Sequence, residues 1–355
     1  CKVLRVKIQF DTQSLRQAAE QLIIPEGHLH AALLQDALQD ALSRLVIPSI
    51  EREVRRELTE RAEAHAVRVF AQNLRKLLLQ PPLWGRSVLA IDPGFRSGCK
   101  LAALDEFGNL LEHALIHVIG PADRVQQSRQ RLAEMIGRHR IHVIALGNGT
   151  ACRETEQFVA EVLGKELREA DAHYLIVNEA GASVYSTSQI GREERPQCDA
   201  TVRGAVSIGR RALDPLSELV KIDPASIGVG LYQHDVKGKH LRDSLDAVVE
   251  SCVNYVGVDV NSASPALLRY VSGLNQLTAR RIYEYRQQHG PFRSREQLKA
   301  VAGVGDATFV QAAGFLKILD GENPLDNTWI HPESYAVAQG VLDELGCDPA
   351  ALVRP

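Results

Sequence analysis

Aromatic side chains are scarce in this chain, at 5% of 355 residues, which leaves few rings for stacking on nucleobases. A basic surplus is also missing. The formal net charge is −3, so any nucleic-acid contact must rest on local patches. The six cysteines stand at positions 1, 99, 152, 198, 252 and 347, with no C-x-x-C and no Cys/His cluster. That spacing argues against a structural zinc site and a secreted disulfide scaffold, and reads as buried free thiols in a reducing cytoplasm. No run approaches the ~20 apolar residues of a membrane helix. The first residues do not read as a charged-then-apolar signal peptide, and no low-complexity segment is found. What remains is an ordinary globular composition, 45% hydrophobic and 24% charged, with length for two or three compact units.

The opening run Val3-Leu4-Arg5-Val6-Lys7-Ile8 alternates like a strand entered midway, so a fragment of a longer protein is expected. Helical spacing follows over 28–47. Pro48 is expected to stop that helix and Ser49 to cap the next, which reaches Leu79 with Glu51–Arg55 and Glu57–Arg61 as i,i+4 pairs. Pro81-Pro82 then breaks the chain and places a boundary at 80–86. Beyond it the rhythm changes. Val88–Asp92 is an apolar run ending in a carboxylate, Lys100–Leu104 a second strand, and Leu110–Ile119 a third across a Gly108-Asn109 turn. A helix at about 121–139, a strand His142–Leu146, a helix 153–163 and a strand Tyr174–Val177 follow. This order predicts an α/β domain with a mixed sheet flanked by helices, and an all-α portion from about residue 240 onward.

The one internal repeat lies in that helical portion. Leu298, Val301, Gly303, Val304, Gly305 and Phe309 fit the helix-hairpin-helix pattern h-x-x-h-x-G-h-G-x-x-x-h at every position. Leu268, Val271, Gly273, Leu274 and Ala279 fit an earlier copy, with Asn275 in place of the second glycine. Glycines at such a turn let backbone N–H groups approach a phosphate without Cβ interference. Asn275 is expected to tolerate a left-handed backbone, so the first hairpin survives in blunted form. Arg269, Arg280, Arg281, Arg286, Arg293 and Arg295 gather here against Glu284 and Glu296. Gly273, Asn275, Gly303, Gly305, Arg280, Arg281, Arg293 and Arg295 are therefore the candidate nucleic-acid contacts. The alternative is a pair of tight turns used only for packing.

A second constellation is acidic. Ile91-Asp92-Pro93-Gly94-x-Arg96-x-Gly98 resembles the first strand of the YqgF and RuvC branch of the RNase H-like superfamily. Val177-Asn178-Glu179-Ala180 stands where YqgF proteins carry D-E-R, and Asp199 opens the following helix. The resemblance implies that Asp92, Glu179 and Asp199 are candidate catalytic and metal-binding residues, holding Mg²⁺ or Mn²⁺ in an active nuclease. Departures point instead to a degenerate scaffold: Asn178 and Ala180 replace the family's Asp and Arg, and Leu146-Gly147-Asn148-Gly149-Thr150 ends a strand with an amide in place of an acid. Without the nuclease activity no cofactor is expected. Tyr232-Gln233-His234-Asp235-Val236 groups catalytic residue types, but reads more simply as a buried interdomain contact.

Together with Gly181–Ser186, Val202–Asp214 and Leu219–Gly230, these strings resemble the Tex transcription accessory family over nearly the whole length. The resemblance implies an N-terminal helical segment 1–86, a YqgF/RNase H-like domain 87–215, a helical connector 216–259, a tandem hairpin domain 260–320 and a tail 321–355. The tail would lead to a missing OB-fold RNA-binding domain, and a further helical domain would precede residue 1. It also implies sequence-independent binding of DNA or RNA, and association with RNA polymerase or an elongation complex in the cytoplasm, away from membranes.

Overall fold

The computed structural model describes residues 8–83, 85–168, 170–230 and 233–353. The opening strand expected from residue 3 lies outside them, apart from Ile8. The chain divides into two compact units, Cys1–Arg68 and Val69–Pro355. In the first, α1 (Thr12–Ile23) is capped by the Asp11 carboxylate and α2 (Ala31–Ala41) follows. Pro48 does not stop the chain's helical course. A π-helical turn, Leu42–Val46, leads directly into α3 (Ile47–Leu78), so Ser49 lies inside a helix and caps nothing. The Ile47 N–H bonds back to the Leu42 carbonyl. That widened i→i+5 turn shifts the carbonyls the pyrrolidine ring would strike in a regular helix, and proline needs no acceptor of its own.

The second unit holds a five-stranded sheet in the order β3-β2-β1-β4-β5. β1 (Val88–Asp92), β2 (Cys99–Leu104) and β3 (Leu110–Ile116) form an antiparallel meander, and β4 (Val143–Gly147) and β5 (His173–Val177) run parallel to β1. Val88–Ile91 are fully buried, as a central strand covered on both faces must be. On one face Leu89, Ile91 and Leu101 pack with Leu132 and Met135 of α4 (Ala122–Arg138) and Val159 of α5 (Cys152–Lys165). Truncating such a residue to alanine costs about 2–5 kcal/mol. α6 (Ala182–Thr187) and α7 (Gln189–Glu194) lead to α8 (Ala200–Leu213), which covers the other face. There Ala205, Val206 and Ile208 meet Ala90, Ala102 and Ala145. The parallel strands therefore aim their C-terminal ends, and Asp92 with them, at one edge of the sandwich.

α9 (Pro215–Leu219) and α10 (Gly238–Val256) connect the sheet domain to the hairpins. β6 (Val258–Asp259) leads to α11 (Pro265–Leu268), α12 (Gln276–His289) and α13 (Asp306–Ala312), and β7 (Leu316–Lys317) closes the region by pairing with β6. The segment beyond is no trailing tail. Arg295, 1% exposed, donates to the carbonyls of Leu316, Thr328 and Ile330 and to the Tyr335 hydroxyl, and its own N–H bonds Asp326. These bonds fasten residues 326–335 to the second hairpin and carry the chain into α14 (Tyr335–Leu345). Cys99 and Cys252 are buried as expected, but Cys152 and Cys198 are half-buried and Cys347 is exposed.

Candidate nucleic-acid interface and carboxylate pair

Gly273 and Gly303 hold equivalent places in the two hairpins, with φ of 84° and 92°. This left-handed backbone penalises any side chain. Asn275 is not left-handed. Its φ is −130°, in the extended N-cap position of α12, which Gly305 fills for α13 with φ −81°. The substitution therefore has a different meaning from the one expected. Asn275 Oδ1 accepts the N–H groups of Leu277 at 2.9 Å and Thr278 at 3.0 Å, and Thr278 Oγ1 accepts the Asn275 N–H at 2.8 Å. This capping box satisfies in the first hairpin the amides an anion would use. Gly305 supplies no side-chain cap, so the first turn of α13 stays open.

The arginines divide by job. Arg295 is excluded as a ligand contact, because its guanidinium is spent on the four internal bonds above; a long basic side chain in a basic segment gives no sequence hint of burial. Arg286 donates to the carbonyls of Val260 and Ala263, and Arg269 to the Tyr270 hydroxyl. Arg280 pairs with Glu284 at 2.9 Å on the solvent face. Arg281 Nη1 donates to the Ala302 carbonyl at 3.1 Å, beside Gly303, and Arg293 is exposed. Besides Glu284, Asp306 adds an acid at the start of α13, its carboxylate 3.8 Å from Lys299.

The structure brings together two of the three candidate carboxylates. Asp92 ends β1 and faces Gly204 of α8, where a Cβ would lie 3.6 Å from Oδ2. Burial raises the Asp92 pKa above the usual carboxylate range, partly offset by Lys100. Glu179 follows β5, and its pKa is raised first by burial and then by the Asp92 charge. Its side chain lies against the Gly147-Asn148-Gly149 loop, where a Cβ on Gly149 would overlap the carboxylate. Asn148 Oδ1 accepts the Glu179 N–H at 3.1 Å, so the amide that replaces an acid fixes the loop instead. Ala151, which ends this loop, takes a left-handed φ of 71°, a conformation costly for a residue with a Cβ. Arg211 of α8 holds the turn below by donating to the Asn178 and Ala180 carbonyls at 2.7 and 2.8 Å, and burial lowers its pKa to about 10.

Asp199 stands apart. It is the N-cap of α8, accepting the N–H groups of Thr201 and Val202, and those bonds hold its pKa low. Among the described residues no three His, Cys, Asp or Glu side chains are grouped to hold a metal ion. The residues present thus fit a carboxylate pair and a helix cap, and do not fit the three-acid metal centre the resemblance implies. Of the Tyr232–Val236 string, Tyr232 lies outside the described residues and Gln233 is buried, bonding Val229 and Ala225; His234 and Asp235 are exposed, which removes the buried-contact reading for them.

Residues 86–213 match the Tex protein YqgF-like domain, 253–317 the helix-hairpin-helix motif, and 323–355 a helix-hairpin-helix domain. The last match covers the segment fastened by Arg295. The chain is 48% identical to Protein tex of Bordetella pertussis over 303 residues, covering 85% of this chain and 38% of that protein. It is 43% identical to transcriptional accessory protein Tex of Neisseria gonorrhoeae over 357 residues, covering 99% and 46%. To S1 RNA-binding domain-containing protein 1 of Homo sapiens it is 39% identical over 364 residues, covering 88% and 36%. The chain spans about half or less of the length of the curated relatives it matches. With a Tex-type YqgF domain, two helix-hairpin-helix segments and this likeness along nearly its whole length, the chain belongs to the Tex family.

Proposed function

We propose that this chain binds the backbone of nucleic acid without reading its sequence, in support of transcription. The helix-hairpin-helix segments and the Tex relatives support a nucleic-acid-binding role. The observation that carries the backbone reading is the contrast between the hairpins: the first is closed by Asn275 and the second is left open at Gly305, with Arg281 bonded to Ala302 beside Gly303 of the same turn. Amides and guanidinium groups of this kind position a phosphate chain and carry no base code. Association with RNA polymerase or an elongation complex, in the cytoplasm, belongs to the same proposal and rests on the relatives' names alone. Affinity for unrelated strands should be similar, and should fall steeply with salt. Titrating three unrelated labelled sequences at several salt concentrations tests this; strong sequence preference, or affinity insensitive to salt, would overturn it.

The juxtaposition of Asp92 and Glu179 favours a second reading, a metal-dependent nuclease. The absence of a third grouped carboxylate among the described residues ranks it below the first. Incubation with branched DNA and RNA in Mg²⁺ or Mn²⁺ separates the two. Cleavage that is lost in Asp92→Asn would establish the nuclease.

A further inference from the structure

The β1–β2 loop and the adjoining start of α4 carry three cations that form no ion pair among the described residues, with Asp92 near Lys100 and Asp123 in the first turn of α4. α4 contains four arginines, and three are paired: Arg129 with Glu161 and Glu166, Arg131 with Glu112 at 2.7 Å, and Arg138 with Glu112 at 2.9 Å. The fourth, Arg124, has a different neighbour. Its Nη2 lies 2.9 Å from His117 Nε2. A guanidinium only donates, so the imidazole accepts and is neutral at that nitrogen. Arg124 is thereby oriented without being neutralised.

Two more cations belong to the β1–β2 loop and the start of β2. Lys100 stands opposite Asp92 in the β1–β2 ladder, and its ammonium turns back to Ser97 Oγ at 2.5 Å. Arg96 is exposed in the loop between them, next to half-exposed Phe95. Gly98 holds the loop against the exit of β3: a Cβ there would lie 2.7 Å from the Ile116 carbonyl oxygen and 3.0 Å from His117 Nε2. Among the described residues, no carboxylate forms an ion pair with Arg96, Lys100 or Arg124. Lys100 also gives the Asp92 carboxylate a positive neighbour, which weakens its repulsion of an approaching anion.

From this arrangement we infer that Arg96, Lys100 and Arg124 form a phosphate-contacting rim on the YqgF-like domain, which takes nucleic-acid backbone independently of the hairpins. A guanidinium held only by a neutral acceptor, as Arg124 is by His117, and an ammonium held by a hydroxyl, as Lys100 is by Ser97, are completed by phosphate oxygens, the strongest hydrogen-bond partners a backbone offers. The inference rests on the nucleic-acid reading above and adds a second site to it.

Fluorescence anisotropy with the 355-residue chain and a labelled mixed-sequence 20-mer, single-stranded and duplex, tests it across a salt series. The double variant Lys100→Gln/Arg124→Gln should lose roughly five- to eightfold in affinity per contact at 0.1 M salt, and the salt slope should fall by about 0.7–0.9 per contact. Arg138→Gln, whose charge Glu112 already answers, should leave affinity unchanged. Both changes are at surface side chains, and unchanged circular dichroism and melting certify the fold. If the wild-type chain binds and the folded double variant binds equally well with the same slope, the rim is refuted while the hairpin reading stands. If the wild-type chain binds neither probe, both fall.

Discussion

The Glu179 carboxylate rests directly on the Cα of Gly149, leaving no room for a Cβ between them. A strand-end acid in this fold is expected to face a metal; this one packs on a loop. Gly149→Ala should therefore push the Glu179 carboxylate, the far end of a flexible side chain, off the loop, at a cost of about 1 kcal/mol or less. Removing the acid as well, in Gly149→Ala/Glu179→Ala, should recover part of that loss. Urea denaturation of the four proteins in the cycle measures the coupling, and strictly additive effects would contradict the contact.

Burial and Asp92 raise the Glu179 pKa, so between its unfolded and folded values the native state holds more protons than the unfolded chain. Stability from this group is then greatest below its unfolded pKa and declines as pH rises through the folded one. Glu179→Gln should stabilise the chain at pH 8 and lose that advantage in acid. Asp199 has the opposite sign. Its pKa is lowered, so its cap stabilises above the unfolded pKa and fails as pH falls through the folded value. Asp199→Ala should cost about 1 kcal/mol at neutral pH, with the difference vanishing in strong acid. Melts of both variants across pH check the two signs together.

Arg295→Met should be among the most damaging single changes in the hairpin region. It would strand the Leu316, Thr328 and Ile330 carbonyls that the guanidinium holds, at a cost of about 3–5 kcal/mol, while the backbone N–H to Asp326 survives. Where the variant still folds, its affinity for nucleic acid should equal the wild type's. A selective loss of affinity would return Arg295 to the interface.

Much of this was legible in the residues. Val88–Ile91 is apolar because it is covered on both faces, and the meander after it declares its turn through Gly108-Asn109. The glycine spacing placed both hairpins. Three features were hidden for physical reasons. Pro48 reads as a stop, yet a π-turn upstream absorbs it. Arg295 has the composition of a ligand contact and the burial of a core residue, a difference set by segments 20 to 40 residues away in sequence. Asn275 looks like a degraded glycine because pattern matching compares residue types, while the backbone there asks for a cap.

That last point yields a paired exchange. Asn275→Gly should open the first hairpin, costing a few tenths of a kcal/mol in capping while raising affinity for nucleic acid. Asp306→Asn, which removes the acid at the start of α13, should raise affinity as well. Anisotropy titrations at low salt check both, and a fall in affinity in either would contradict the open-turn reading.

The most direct test is the reverse exchange, Gly305→Asn. Nothing lies within 4 Å of a Cβ at this position and its φ is negative, so the backbone accepts the change. The new side chain should cap α13 as Asn275 caps α12, leaving the melting temperature equal or higher while it occupies the first-turn amides. Measured by anisotropy at low salt, affinity for labelled nucleic acid is predicted to drop at least fivefold, by about the worth of one phosphate contact. Unchanged affinity in this fully folded variant would contradict the assignment of the second hairpin as the backbone-binding turn.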